Sequence, residues 1–155
     1  MRRRSADRRK IEPDVRYNNV KVQTFINHVL KKGKKNVAAG LVYGAFDIMA
    51  EKTGKDPVEL FEQAIQNASP RMEVRPRRIG GATYQIPMEV PTHRQFTLAT
   101  RWLLEAARAR KGQPFDQCLA DEFLSAVNNE GLAIRKREEA HRMAKANRAF
   151  SHFRV

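Results

Sequence analysis

With 155 residues, 41% of them hydrophobic, the chain can bury one ordinary core but not two large domains. Its 30 lysines and arginines against 17 aspartates and glutamates give a net charge of +13, which points to a polyanionic partner, nucleic acid before anionic membrane. The single cysteine, Cys118, excludes an internal disulfide and fits a reducing, cytosolic compartment; the longest mainly apolar run, residues 37–46, is too short and too rich in glycine to cross a bilayer, and the basic start MRRRSADRRK lacks the apolar stretch of a signal peptide.

The charge is segregated along the chain. Residues 1–36 hold 12 basic and 3 acidic side chains, 70–95 hold 5 and 2, and 131–155 hold 7 and 2, whereas 37–69 and 96–130 carry net charges of −3 and −1. Solubility does not call for such segregation.

Residues 1–17 combine a basic cluster with Pro13 and show no apolar period, which predicts an extended arm that orders on a polyanion. From Val22 the pattern turns helical, with Val22, Phe25, Ile26, Val29 and Leu30 on one face and Gly33 as the expected stop. Lys31, Lys32, Lys34 and Lys35 crowd that glycine, an arrangement favourable beside phosphates, although lysines also complement a helix C-terminus. A nucleotide-binding loop is not indicated, since GxxxxGK[ST] and a preceding strand are both absent.

Asn36 is expected to cap a second helix ending at Thr53-Gly54, with Val37, Leu41, Ala45, Ile48 and Met49 inward; its many small residues suggest the central buried helix. A third opens on Asp56-Pro57-Val58-Glu59, where aspartate caps and proline takes the first turn, and carries Val58, Phe61, Ala64, Ile65 and Ala68 inward before Pro70.

Gly80-Gly81 then sits between two extended runs, 72–79 and 82–89, and Gly-Gly readily supplies the positive φ angles of a primed turn. Pairing Ile79 with Ala82 makes 78:83, 76:85 and 74:87 non-hydrogen-bonded pairs, so the absent N–H groups of Pro76 and Pro87 fall on the outer edges. The ribbon is therefore expected to stand alone. Arg75, Arg77, Tyr84 and Ile86 share one face, while Val74, Arg78, Thr83, Gln85 and the prolines share the other. Arginines on both faces suit an arm laid along a nucleic-acid backbone, and equally a merely solvated hairpin.

Beyond it, Thr92 is expected to cap a fourth helix with Gln95 completing a capping box, and with Phe96, Ala99, Leu103, Ala106 and Ala107 inward; His93 and Arg94 fall in its first turn, and Trp102 reads as core or rim. Gly112 and Pro114 precede a fifth helix over 115–127, with Phe115, Leu119, Phe123, Ala126 and Val127 inward. A peripheral basic helix is expected over about 135–150, with Glu138 and Glu139 pairing to Arg142. The fold class is thus mainly α, a bundle of about six helices with one protruding two-stranded β-hairpin between helices 3 and 4. A single nucleic-acid-binding domain over 1–155 is expected, with an arm at 1–17, the hairpin at 72–89 and a basic C-terminal helix and tail at 135–155.

No catalytic or metal-ligating constellation emerges. His28, His93, His141 and His152 occur singly, HExxH is absent, and the cysteine has no partner. The chain is not expected to be an enzyme or to use a cofactor, metal or small-molecule substrate. A DNA-binding architectural protein using the same arm and hairpin is the alternative to an RNA binder; a membrane-surface protein is disfavoured, because the basic segments lack a large apolar face.

Phe25-Ile26 with Gly33-Lys34-Lys35 after six intervening residues, PRMEVRPRRIGGATYQIPMEVP at 70–91, RWLLEAAR at 101–108 and MAKANRAFSHFR at 143–154 together resemble the small-subunit ribosomal protein seven family, of bacterial or organellar type. The resemblance spans nearly the whole chain. It implies six helices with the hairpin between the third and fourth, and a primary binder of 16S rRNA that nucleates the 3′ major, or head, domain. It also implies a place at the subunit interface near the exit-site tRNA, contacts with the ninth and eleventh small-subunit ribosomal proteins, and residence in cytoplasmic ribosomes, or in an organellar matrix if organelle-encoded. Its RNA-facing regions fall on Arg2, Arg3, Arg4, Arg8, Arg9 and Lys10 in the arm, on Lys31, Lys32, Lys34 and Lys35 in the turn, on Arg75, Arg77 and Arg78 in the hairpin, and on Arg94. The tip, Gly80 and Gly81, is implied to lie nearest tRNA.

Overall fold

In a computed structural model that describes residues 3–153, the order of elements is α1 (Val20–Val29), α2 (Lys35–Thr53), α3 (Pro57–Ala68), β1 (Met72–Ile79), β2 (Ala82–Glu89), α4 (Thr92–Ala109), α5 (Phe115–Val127) and α6 (Leu132–Ala146). A terminal 3₁₀ helix, Arg148–Phe153, follows. This is the expected mainly helical architecture, with one antiparallel hairpin between the third and fourth helices.

Four phenylalanines key the core. Phe25 of α1, Phe46 of α2, Phe61 of α3 and Phe123 of α5 are all fully buried, with ring centroids 5.2 to 6.1 Å apart in tilted or edge-to-face pairs. Each such pair adds about 0.5 to 1.5 kcal/mol beyond the area it buries. Because α5 packs against α2, α3 and α4, it is α5, not α2, that holds the centre. The buried stripe of α2 is Ala38, Val42, Ala45, Phe46 and Met49, so its inward face is rotated from the expected one, and Val37 is exposed. Alanines and glycines on several sides of α2 blunt its periodicity, and Phe46 decides its rotation through the aromatic cluster. Cys118 is buried, and Trp102 packs at the core's rim.

Helix ends differ from the sequence expectation in five places. Helix α1 ends at Val29, with Leu30 as its C-cap, and Gly33 lies in the following turn rather than at the stop. Asn36 falls inside α2, whose N-cap is Lys34 with no side-chain cap. Pro91, not Thr92, precedes α4; the amides of Arg94 and Gln95 both donate to Pro91 O, and the Gln95 side chain turns back to Val90 O instead of completing a capping box. Helix α6 begins at Leu132, after Gly131 at φ 96°, and stops at Ala146, where Asn147 Nδ2 donates to Met143 O and ends the run expected to reach Phe150. By contrast α3 starts as its sequence dictates, with Asp56 Oδ1 accepting from Val58 N and Pro57 in the first turn.

The hairpin register matches the expected one pair for pair, from Ile79 opposite Ala82 to Met72 opposite Glu89, with Pro76 opposite Gln85 and Pro87 opposite Val74. Gly80 and Gly81, at φ 58° and 85°, make the primed turn. The sheet has these two strands only among the described residues. The tip is exposed, whereas Ile86 and Pro87 are buried on opposite faces of the base, where α6 and the 3₁₀ helix pack.

The base is also tied to the bundle. Val90 N donates to Arg71 O, Asn67 Nδ2 donates to the carbonyls of Ala126 and Val127 at the end of α5, and Arg137 of α6 donates to Asn67 O. The otherwise orphaned carbonyls at the helix ends are thereby spent on fixing where the hairpin leaves the core.

Candidate nucleic-acid interface

The arm divides into two parts. Residues 3–13 form no helix or strand and are exposed, whereas Asp14 is 2% exposed and anchors a turn that belongs to the folded body. Its carboxylate accepts from the amides of Arg16, Tyr17 and Asn19 at 3.2, 2.8 and 2.9 Å and from the Tyr43 hydroxyl at 3.0 Å. Burial raises the Asp14 pKa, but these four donors outweigh it and hold the carboxyl below its ordinary range. Arg16 pairs with Asp47, and Tyr17 packs on Tyr43 and Phe46, so the arm leaves a rigid anchorage.

A groove of about 690 Å³ runs from the arm across α1 and α2, with Arg9 and Lys10 on one side and Lys35 and Asn36 on the other. Of the four turn lysines, Lys35 is the one that lines this groove with the arm. Lys32 and Gly33 both have positive φ, 54° and 74°, and Lys34 N donates back to Lys31 O. A lysine in the left-handed region costs about 1 kcal/mol, and the tight reversal it permits keeps Lys31, Lys32, Lys34 and Lys35 all exposed. None of the four forms an ion pair among the described residues, and the same is true of Arg3, Arg4, Arg8, Arg9 and Lys10. Arg2 lies outside the described residues.

The hairpin arginines are not equivalent. Arg75 pairs with Glu73 on the same face of β1 at 2.7 Å, and Arg77 donates to the Phe153 carbonyl at 3.2 Å. Arg78 is exposed with no ion pair among the described residues. Arg94 also binds Glu73, whose side chain is only 12% exposed, and so clamps the first turn of α4 to the hairpin. Two of the four arginines assigned to this region thus share one largely covered acid.

The family model described as ribosomal protein S7p/S5e matches residues 1–148. The chain belongs to the ribosomal protein S7p/S5e family. Proteins named "Small ribosomal subunit protein uS7" from Thermotoga neapolitana and Thermotoga maritima are 57% and 56% identical to it over 99% of both chains. One from Chloroflexus aurantiacus is 55% identical over 98% of this chain and 97% of its own. The S7p/S5e family is one of small-subunit ribosomal proteins, constituents of a ribonucleoprotein that works in translation, and not a family of enzymes. No helix among the described residues is long and apolar enough to cross a membrane.

Within this S7p/S5e chain, sequence reading missed Glu73, Arg16 and His141. Glu73 had a readable signal, an acid two residues before Arg75 and hence on the same strand face. Arg16 with Asp47 and His141 with Arg71 are long-range pairs that no local pattern announces.

Proposed function

We propose that the chain is a primary binder of 16S rRNA that nucleates folding of the 3′ major domain. The arm and the lysine turn grip RNA backbone from one end of the bundle, and the hairpin extends its exposed tip, Gly80-Gly81, toward the exit-site tRNA. The ninth and eleventh small-subunit ribosomal proteins are its protein neighbours, and bacterial, cytoplasmic ribosomes are its location. The observation that carries this reading is the segregation of unpaired cations onto rigid supports. Lys31, Lys32, Lys34 and Lys35 sit on a reversal held by its own backbone, the arm is pinned at Asp14, and Arg78 is carried by a ribbon whose register is fixed.

Such a surface recognises A-form RNA by shape and backbone, and each neutralised phosphate makes affinity fall with salt. The test is binding to a transcript of the 3′ major domain in rising salt, with duplex DNA and unrelated structured RNA of equal length as competitors. Selective binding that persists near physiological salt is expected. Equal competition by both, with a steep salt slope, defeats the reading, and a preference for duplex DNA replaces it with an architectural DNA binder.

A further inference from the structure

We propose that the hollow between the hairpin base and α6 seats one unpaired nucleotide of the bound RNA; the inference deepens the ribosomal RNA reading and rests on it. The hollow is about 510 Å³, enough for a purine and part of its sugar, and its apolar lining is Met72 of β1, Pro87 of β2 and Ala144 of α6. Around this lining stand Lys145, Arg148 and Ser151, with His141 beside them. Among the described residues no carboxylate lines the hollow.

Two features select the ligand class. Lys145 and Arg148 are exposed and form no ion pair among the described residues, whereas Arg137 and Lys136 on the same helix are paired with Glu138 and Glu105. Unpaired cations call for an anion, and the apolar lining beside them calls for a flat hydrophobic body within one phosphate's reach. A nucleotide joins the two in one ligand. Bases within a duplex are already stacked on both faces, so the occupant is an unpaired, splayed-out one. Lys145 also complements the C-terminus of α6, but Arg148 lies beyond that helix and has no such role.

His141 adds a donor without adding charge. Its Nε2 accepts from the Arg71 amide at 2.9 Å, which places the ring proton on Nδ1 and keeps the imidazole neutral. The same bond fixes the hollow's geometry, because it joins α6 to the residue that leads into β1.

The test footprints the full chain on the 3′ major-domain transcript with base-specific chemical probes and, separately, with hydroxyl radicals that report the backbone. Wild type is compared with Lys145→Ala/Arg148→Ala, which alters two exposed side chains, and with Met72→Trp, which fills the hollow and keeps its charges. In the wild-type complex one unpaired base is expected to be shielded near a backbone protection assignable to α6. The double variant is expected to bind about ten- to a hundredfold more weakly, the range for one lost base contact and one or two lost phosphate contacts. Met72→Trp is expected to expose that base while other backbone protections stay. Identical base reactivities in the wild-type and Met72→Trp complexes, or a loss in the double variant that picks out no single base, would overturn the proposal. Failure of wild type to select the transcript at all strikes the ribosomal RNA reading instead.

Discussion

The Nε–H of Arg94 is shared between both carboxylate oxygens of Glu73, at 2.9 and 3.0 Å, and so joins the first turn of α4 to the first strand of the hairpin. The arginine that sequence assigns to RNA is therefore also a structural clamp. Replacing it leaves the 12%-exposed Glu73 side chain with Arg75 as its ion-pair partner. Since Arg94 is itself 40% exposed, solvent screening limits the cost, and Arg94→Ala is expected to destabilise the fold by about 1 kcal/mol. Urea unfolding measures this, and a midpoint equal to wild type refutes the clamp.

Arg78 and Arg75 make the opposite contrast. Arg78 is exposed without an ion pair among the described residues, so Arg78→Ala should leave stability unchanged and reduce the salt slope of RNA binding by about one. Arg75 is already partly neutralised by Glu73, so Arg75→Ala should change the slope by less. The folded triple variant at Arg75, Arg77 and Arg78 should bind most weakly of all. Filter-binding titrations at several salt concentrations decide, and equal slopes for the two single variants would remove the distinction.

Much of this arrangement was legible beforehand, and the reason differs by element. The hairpin register followed from three constraints that agree: Gly-Gly needs a primed turn, and each proline needs an edge without a hydrogen bond. The bounds of α5 followed from Gly112 and Pro114 before it and Asn128-Asn129 after it. The face of α2 was not legible, because Ala38, Ala39, Gly40, Gly44 and Ala45 carry little hydrophobic contrast and the partner Phe residues lie on other helices. In the interface, exposed cations were readable as a class, but which were neutralised depended on Glu73, on the chain end and on where the hairpin folds back.

Asp14 predicts an acid sensitivity. Its folded pKa is depressed, so its contribution is present in full above the unfolded value of about 3.9 and is lost as pH falls through the folded one. Asp14→Asn keeps the shape but weakens acceptance from three amides and the Tyr43 hydroxyl, and should cost about 2 kcal/mol at pH 7. Wild type and variant are expected to converge in stability as pH drops below about 3.9 and through the depressed folded value. A gap that stays constant with pH would contradict the carboxylate's role.

His141 predicts a milder effect at higher pH. Burial lowers its pKa, and the positive charges of Arg137 and Arg71 lower it further; Lys145 and Arg148 line the same hollow. A histidine with a depressed folded pKa stabilises the fold fully above the unfolded value of about 6.5, and that contribution is lost as pH falls toward the folded value. The ring resonances of His141, followed by NMR, should titrate with a midpoint below 6.5. A midpoint above it would mean that Nε2 does not accept from Arg71.

The terminal 3₁₀ helix supplies the last prediction. Phe150 and Phe153 lie 5.4 and 5.5 Å from the Tyr84 ring, and the Phe153 carbonyl accepts from Arg77, so the segment braces the hairpin on one face. It adds nothing to the four-phenylalanine core. Ending the chain at Asn147 should therefore leave cooperative unfolding of the bundle nearly intact while loosening the ribbon. Amide exchange in β2 is expected to accelerate at least about tenfold, equivalent to about 1.4 kcal/mol of lost local protection. Tyr84→Ala should reproduce the acceleration with the chain end in place, since it removes the same ring contacts from the other side. If exchange in β2 is unchanged in both, the brace is only a contact, and the stiffness of the hairpin resides in its own register and in the Glu73–Arg94 clamp at its base.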